Sequence, residues 1–178
     1  MHRSPGGLLN RLAHAPASIA LVVVVVLVAG CRPSTPSKTE LAAATYESLA
    51  NKGNCAKKRW NSTIDKVYGE DEYIYGDEFP DAAGRLLPEA QRLADAFQDW
   101  ADGLDDATWP STVAREIHEL ADSLRTSSAG YALVAKSEDF GAYRTALGQL
   151  STAIRPTASI RKQLRLPQMV GDGCPAAG

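Results

Sequence analysis

The chain is poor in the residue types that most often build catalytic and metal centres. Its 178 residues include only three histidines and three cysteines, and neither Cys-x-x-Cys nor Gly-x-Ser-x-Gly occurs. No glycine-rich phosphate-binding motif is present, and neither is the Glu-x-x-His pair with which helical bundles hold di-metal centres. We therefore predict no catalytic residue, no metal site and no cofactor, and a protein that is not an enzyme.

Positive charge is also scarce. Lys and Arg number 19 against 21 Asp and Glu, which gives a formal net charge of −2 at pH 7. Proteins whose main role is to bind nucleic acid carry a basic balance or a basic face. We therefore predict that nucleic acid is not a partner.

One long stretch lacks charge altogether, from residue 12 to residue 30. It follows Arg3 and Arg11, its apolar part covers only about a dozen residues (19–30), and a transmembrane helix needs about 20. A basic start, a short apolar segment and small residues at its end are typical of an export signal that is cleaved. A signal that is not cleaved and stays as an anchor is the alternative.

The end of this stretch reads Val28-Ala29-Gly30-Cys31, which resembles the lipobox of bacterial lipoproteins. The resemblance implies a diacylglyceryl group on Cys31, removal of residues 1–30 by the lipoprotein signal peptidase, and a position on the outer face of the cell membrane. Two acyl chains give stable anchoring. The Ala-rich helices and the ending Lys162-Gln163-Leu164-Arg165-Leu166-Pro167 before a late Cys resemble small uncharacterised actinobacterial lipoproteins, a likeness that carries no activity across. A secreted protein without lipid is the alternative.

Cleavage after residue 30 would leave 148 residues, enough for one domain with a hydrophobic core. Arg3 and Arg11 would leave with the signal, so 17 basic residues would face 21 acidic ones, a net charge of −4. This balance gives no electrostatic reason to bind anionic lipid, and we expect the acyl chains to do the anchoring. We predict a flexible tether over residues 31–37, rich in Pro and Ser, and a helical domain with a C-terminal tail over residues 38–178.

Two cysteines, Cys55 and Cys174, remain besides Cys31. In an exported protein such a pair indicates a disulfide, and only one intrachain pairing is possible. Closing a loop of this length stabilises the fold by about 4–5 kcal/mol on the chain-entropy model. The alternative is two free thiols.

Hydrophobic periodicity predicts helices along most of the mature chain. Ser37 and Glu40 have the spacing of a capping box, which predicts a first helix from residue 38 to about residue 51. Gly53-Asn54 is expected to end it, and a second helical segment is expected to start near Cys55.

Three further stretches carry an apolar stripe at intervals of three and four residues. Trp109-Pro110 is predicted to open the second of these helices, Ser137 to cap the last one, and Pro156 to kink that last helix. The stripes are Leu86, Ala90, Leu93, Phe97, Trp100 and Leu104; Val113, Ile117, Leu120, Leu124, Tyr131 and Val134; Phe140, Tyr143, Leu147, Leu150 and Ile154, with Ile160 and Leu164 beyond the kink. The predicted fold is all-α, an antiparallel bundle of about four helices.

Residues 69–80 interrupt the helical pattern and form the predicted contact surface. The stretch combines acidic and aromatic residues, and loops carry function more often than the faces of a bundle. It would suit a cationic partner or a divalent cation, since oxygen-rich loops suit calcium; ordinary loop packing is the alternative. The residues concerned are Glu70, Asp71, Glu72, Tyr73, Tyr75, Asp77 and Glu78. His118 is expected to be partly exposed, and Trp60, Trp100 and Trp109 are expected in the core.

Taken together, these features predict a membrane-anchored extracytoplasmic lipoprotein, a non-enzymatic interaction or envelope-associated protein whose partner is an unknown envelope protein. The alternative is a helical carrier of a small ligand, held in a pocket between helices. The pocket of such a carrier would be lined by Leu93, Phe97, Leu120, Leu147 or Ile154.

Overall fold

The computed structural model describes residues 35–69, 76–150, 156–168 and residue 174. These residues form helices and turns and contain no strand, so the all-α prediction is confirmed. The predicted signal and Cys31 lie outside the described residues. In chain order the helices are α1 (Lys38–Tyr68), α2 (Phe79–Asp106), α3 (Ala114–Ala135), α4 (Phe140–Gly148) and α5 (Thr157–Gln163).

Helix α2 packs against both α1 and α3 and runs antiparallel to each of them. Tyr68 and Phe79, at the end of α1 and the start of α2, both contact α4, whereas Gly53 in the middle of α1 lies against Trp100 late in α2. Ser128 of α3 donates a hydrogen bond of 2.8 Å to the carbonyl of Ala94 in α2. The bundle prediction is confirmed.

The start of α1 is set by the predicted capping box. The backbone N–H of Glu40 donates to Ser37 Oγ at 3.2 Å, and the N–H of Ser37 donates to Glu40 Oε2 at 2.6 Å. The bond from the Ser37 N–H lowers the pKa of Glu40, because it favours the charged carboxylate. A sequence signal only four residues long therefore places this helix terminus correctly.

The predicted break at Gly53-Asn54 is wrong, because α1 runs without interruption from Lys38 to Tyr68. Gly53 is buried inside the helix, and a Cβ placed on it would lie 3.0 Å from Cζ3 of Trp100 and closer still to Cε3. The glycine lets the indole ring pack directly on the α1 backbone. It serves close approach between two helices rather than termination of one.

The stripes of α2 and α3 are confirmed as the core. Eleven of their twelve predicted positions are buried, and Tyr131 is partly buried and packed against them. Trp60 and Trp100 are each 3% exposed, and Tyr131 meets the Trp60 ring edge-to-face at 5.7 Å between centroids. The tryptophans therefore contribute apolar area to the core, as predicted.

The start of α3 differs from the prediction. The helix begins at Ala114, and Pro110 instead opens a turn in which its carbonyl accepts hydrogen bonds from the N–H groups of Val113 and Ala114. Trp109 lies partly buried in that connection, where its Nε1–H donates to the carbonyl of Leu104 at 2.6 Å. The indole thus satisfies a carbonyl left free at the end of α2.

Two predictions for the C-terminal part are also wrong. Asp139 rather than Ser137 caps α4, since its carboxylate accepts from the N–H of Ala142 at 2.8 Å, whereas the Ser137 hydroxyl donates to the carbonyl of Leu133 in α3. The single kinked helix is replaced by two: α4 ends at Gly148 and Pro156 precedes α5. Pro lacks the N–H that a helix interior requires. Ile154 lies outside the described residues.

Cys55 and Cys174 are joined by a disulfide with 5.3 Å between their Cα atoms and 119 residues between them in sequence. The predicted bond is therefore confirmed. It fixes the C-terminal tail to the middle of α1.

Candidate contact surface

The predicted contact residues fall partly outside the described residues. Nothing is described for Glu70, Asp71, Glu72, Tyr73 and Tyr75. Asp77 and Glu78 are exposed and lie with Gly76 in a turn that leads into α2. The structure therefore shows the C-terminal end of this segment and both helices that flank it, α1 and α2.

Both flanking helices are tied to the same point on α4 by aromatic side chains. Tyr68, the last residue of α1, has its hydroxyl 3.1 Å from that of Tyr143. Phe79, the first residue of α2, lies with its ring 5.2 Å from the Tyr143 ring and 5.8 Å from the Phe140 ring. We call Tyr68, Phe79, Phe140 and Tyr143 the aromatic base. It brings the two ends of residues 69–78 together.

Local sequence explains why α4 presents two rings to this point. Phe140 and Tyr143 are three residues apart, which places both on one face of a helix. The cap at Asp139 fixes where that helix starts. Arg144 lies over the Phe140 ring at 5.9 Å from its centroid, a cation–π contact on the outer side.

Tyr143, at the centre of the aromatic base, is neutral at physiological pH. Burial raises the pKa of Tyr143 above its ordinary value, and the hydrogen bond with Tyr68 raises it further. The phenol of Tyr143 therefore stays protonated. What the arrangement can do chemically is hold a segment in place by packing and one hydroxyl pair, with the acidic residues of that segment supplying charge.

The raised tyrosine pKa values predict a loss of stability in alkali. Burial also raises the pKa of Tyr46 to about 12, against a smaller opposing effect of Arg161. In the unfolded chain both Tyr46 and Tyr143 ionise near pH 10. The stabilisation is therefore complete below about pH 10 and is lost as the pH rises toward about 12, by about 1.4 kcal/mol per pH unit for each tyrosine.

This prediction is checked by urea unfolding between about pH 9 and pH 12, with phenolate absorbance recorded in parallel. The Tyr143→Phe variant is the control, because it removes one of the two groups and should make the decline about half as steep. Ionisation of every tyrosine near pH 10 in the still-folded protein would contradict it.

A second polar cluster joins α2 to α3. Arg125 contacts Asp102 at 3.3 Å and Asp122 at 3.6 Å, and it donates a short hydrogen bond to Asp105. That bond is the main cause of the lowered pKa of Asp105. His118 lies 3.4 Å from Asp105 with 69% of its side chain exposed, as the sequence predicted. Exposed ion pairs of this kind add little stability. We therefore interpret the cluster as a surface contact between α2 and α3 and not as a functional site.

Sequence reasoning missed Arg161, a cation buried to 5% exposure in α5. Its Nε–H donates to the carbonyl of Pro167, and its Nη2 lies 3.5 Å from Glu47 Oε1 on α1. Helical periodicity could not have found it. Arg161 directly follows the core residue Ile160, and a charged residue next to the apolar stripe is normally expected to be exposed. Arg161 positions the chain that continues toward Cys174.

The residues proposed to line a carrier pocket lie mostly in the core. Leu93, Phe97 and Leu120 are buried, and Leu147 is partly buried against them. Every described Asp and Glu keeps at least part of its surface exposed. No group of three or more His, Cys, Asp or Glu side chains able to hold a metal ion occurs among the described residues.

None of the helices described is both long enough and apolar enough to span a membrane. No protein-family model matches the chain, and no curated protein and no solved structure shows detectable similarity to it. Its function must therefore be argued from its own residues.

Proposed function

We propose that this protein is a lipoprotein held at the outer face of the cell membrane by Cys31, where it acts as a non-enzymatic interaction module for an envelope partner. The observation that carries the proposal is the Cys55–Cys174 disulfide. Such bonds form and persist in oxidising compartments and are rare in the cytosol. The disulfide thus supports export, and the lipobox-like sequence before Cys31 supports anchoring.

The contact surface that we propose is the acidic and aromatic segment 70–78. The aromatic base holds the helices on both sides of it to α4, so a partner that binds the segment meets ends that are already fixed. Fixed ends lower the conformational entropy that binding has to overcome. Four acidic residues accompany Tyr73 and Tyr75 between residues 70 and 77, which favours a cationic partner surface.

The test compares the wild-type chain with Cys31→Ser in the native cell. Wild type should fractionate with membranes, and its intact mass should correspond to a chain without residues 1–30 that carries a diacylglyceryl group. Cys31→Ser should lose both properties, because a hydroxyl is not a substrate for the lipid transfer. Unchanged fractionation and mass in the variant would refute the anchor.

The same cells test the contact surface by photo-cross-linking. p-Benzoylphenylalanine in place of Tyr75 should give a cross-linked envelope protein, and the same residue in place of Asp99, on the exposed face of α2, should not. Neutralising Glu72→Gln and Asp77→Asn together should weaken the adduct. Equal adducts from both positions would reject segment 70–78 as the surface.

A further inference from the structure

Helix α1 carries a line of basic residues in regular spacing. From Lys38 every seventh residue is in turn Lys, Thr, Lys, Arg and Lys, and all five are exposed. Positions seven apart in an α-helix differ by two turns less about 20°, so they follow one side of the helix. With a rise of 1.5 Å per residue, the line extends over about 42 Å. We call Lys38, Lys52, Arg59 and Lys66 the basic face of α1.

The acidic residues in the first half of α1 lie elsewhere. Glu40 and Glu47 each stand two positions after a residue of the line, about 200° around the helix. Glu40 is engaged in the capping box and Glu47 contacts Arg161 of α5. Within the described part of the chain, no carboxylate lies within 4.0 Å of a cation of the basic face. Among the described residues, the positive charge of this face is therefore not paired with a carboxylate.

The second half of α1 carries most of this charge. Lys52, Arg59 and Lys66 all lie between residues 51 and 68, where Asp65 is the one acidic residue. The negative balance of the whole chain conceals this concentration. The expectation that charge gives no reason to approach anionic lipid was based on the overall balance and does not hold for this face.

An exposed apolar side chain stands at the start of the same helix. Leu41 is 55% exposed, one of two large hydrophobic side chains so exposed in the described structure. It lies one turn after Lys38, where helical neighbours meet. Basic residues beside an exposed leucine are the side chains that amphipathic helices use at a membrane surface.

We propose that the basic face of α1 lies against the anionic phospholipid headgroups of the membrane that carries the anchor. The proposal rests on the proposed function, because Cys31 precedes Lys38 by seven residues, which reach at most about 25 Å. Anchoring at Cys31 therefore keeps α1 within reach of the surface, and the short tether raises the effective concentration of headgroups around it. Contact along α1 leaves α4, which meets Tyr68, at the end of that helix away from Cys31.

The test uses the intact lipidated protein, reconstituted in vesicles of phosphatidylcholine and in vesicles of equal parts phosphatidylcholine and phosphatidylglycerol. Amine labelling read by mass spectrometry should slow several-fold at Lys38, Lys52 and Lys66 in the anionic vesicles. Lys136, exposed after α3, is the internal control and should label equally in both. High salt should abolish the difference, because it screens surface charge.

Matched variants distinguish the effect of charge on the basic face from the effect of the net charge of the protein. Lys52→Glu with Lys66→Glu should remove the protection remaining at Lys38, whereas Arg85→Glu with Lys136→Glu should retain it. Equal labelling of the wild-type lysines in both vesicles would overturn the inference. Protection that appears only when soluble polyphosphate is added to phosphatidylcholine vesicles would overturn it as well, since it would assign the face to a soluble polyanion.

The intact mass of the same sample shows separately whether Cys31 carries the lipid. A chain without a diacylglyceryl group at Cys31 would refute the proposed function. A lipidated chain whose lysines label at the same rate in both vesicles would refute only the inference about α1.

Discussion

Gly53→Leu is expected to lose more than about 3 kcal/mol of unfolding free energy, and Gly53→Ala about 1–2 kcal/mol. Any side chain at this position enters the space of the Trp100 ring. That ring is 3% exposed and cannot rotate away without displacing core neighbours. The gain in helix propensity of Ala over Gly, about 0.5–1 kcal/mol, is too small to compensate. Denaturant unfolding at equilibrium measures both changes.

Two glycines of α2 provide the comparison. Gly84 has nothing within 4 Å of a built Cβ, and Gly103 meets Cδ2 of Leu49 at 2.5 Å, the flexible end of a side chain. Gly84→Ala should therefore stabilise the fold by about 0.5–1 kcal/mol, and Gly103→Ala should have a small effect. Equal effects of alanine at Gly53 and Gly84 would show that Trp100 does not approach α1 closely.

Trp100 gives a further check through a double-mutant cycle. Its Nε1 is buried without a hydrogen-bond partner among the described residues, and its ring packs directly on the α1 backbone at Gly53. Trp100→Leu should reduce the harm done by Gly53→Ala, because the smaller side chain leaves room for a Cβ. Strict additivity of the two substitutions would argue against their contact.

Removal of the disulfide is the second large effect. The variant Cys55→Ser with Cys174→Ser should lose about 2–5 kcal/mol, because the unfolded chain regains the freedom of a loop that spans most of the domain. The bond closes 119 residues of sequence, which places the expected loss near the upper end of that range. Thermal unfolding with and without dithiothreitol gives the measurement on the wild-type chain.

Thiol titration provides the control for this experiment. Cys55→Ser alone should leave one reactive thiol at Cys174. Wild-type chain that carries the proposed lipid should show none in denaturant, since that lipid would block the Cys31 sulfur. Two titratable thiols in that wild-type chain, or a melting temperature that reductant does not change, would mean that the bond is absent from the protein in solution.

The sequence predicted the parts of the fold that depend on local patterns. The stripe from Leu86 to Leu104 repeats often enough to identify the buried face of α2. The Ser37 and Glu40 pair fixes the start of α1 within four residues. The errors arose where a residue distant in sequence determines the structure. Gly and Asn are typical signals for the end of a helix, and only the position of Trp100 shows why α1 continues through Gly53.

The candidate site was predicted in the same partial way. The composition of residues 69–80 singled out the segment, but Tyr68 and Phe79 were then only aromatic residues at its edges. Both meet Tyr143 because α4 folds back across the ends of α1 and α2. Tyr68 and Tyr143 are 75 residues apart in sequence, so no local pattern could have predicted their contact. Arg161 escaped notice for a similar reason, since its partners Glu47 and Pro167 come from different segments.

The position of the disulfide also determines which residues would bear mechanical load. If force is applied between residue 31 and the segment after Cys174, the covalent path runs along α1 as far as Cys55 and then crosses directly through the bridge. The residues between the two cysteines, including α2, α3 and the aromatic base, lie in a closed loop outside that path. Stretching could unravel the first half of α1 while the rest of the bundle remains folded.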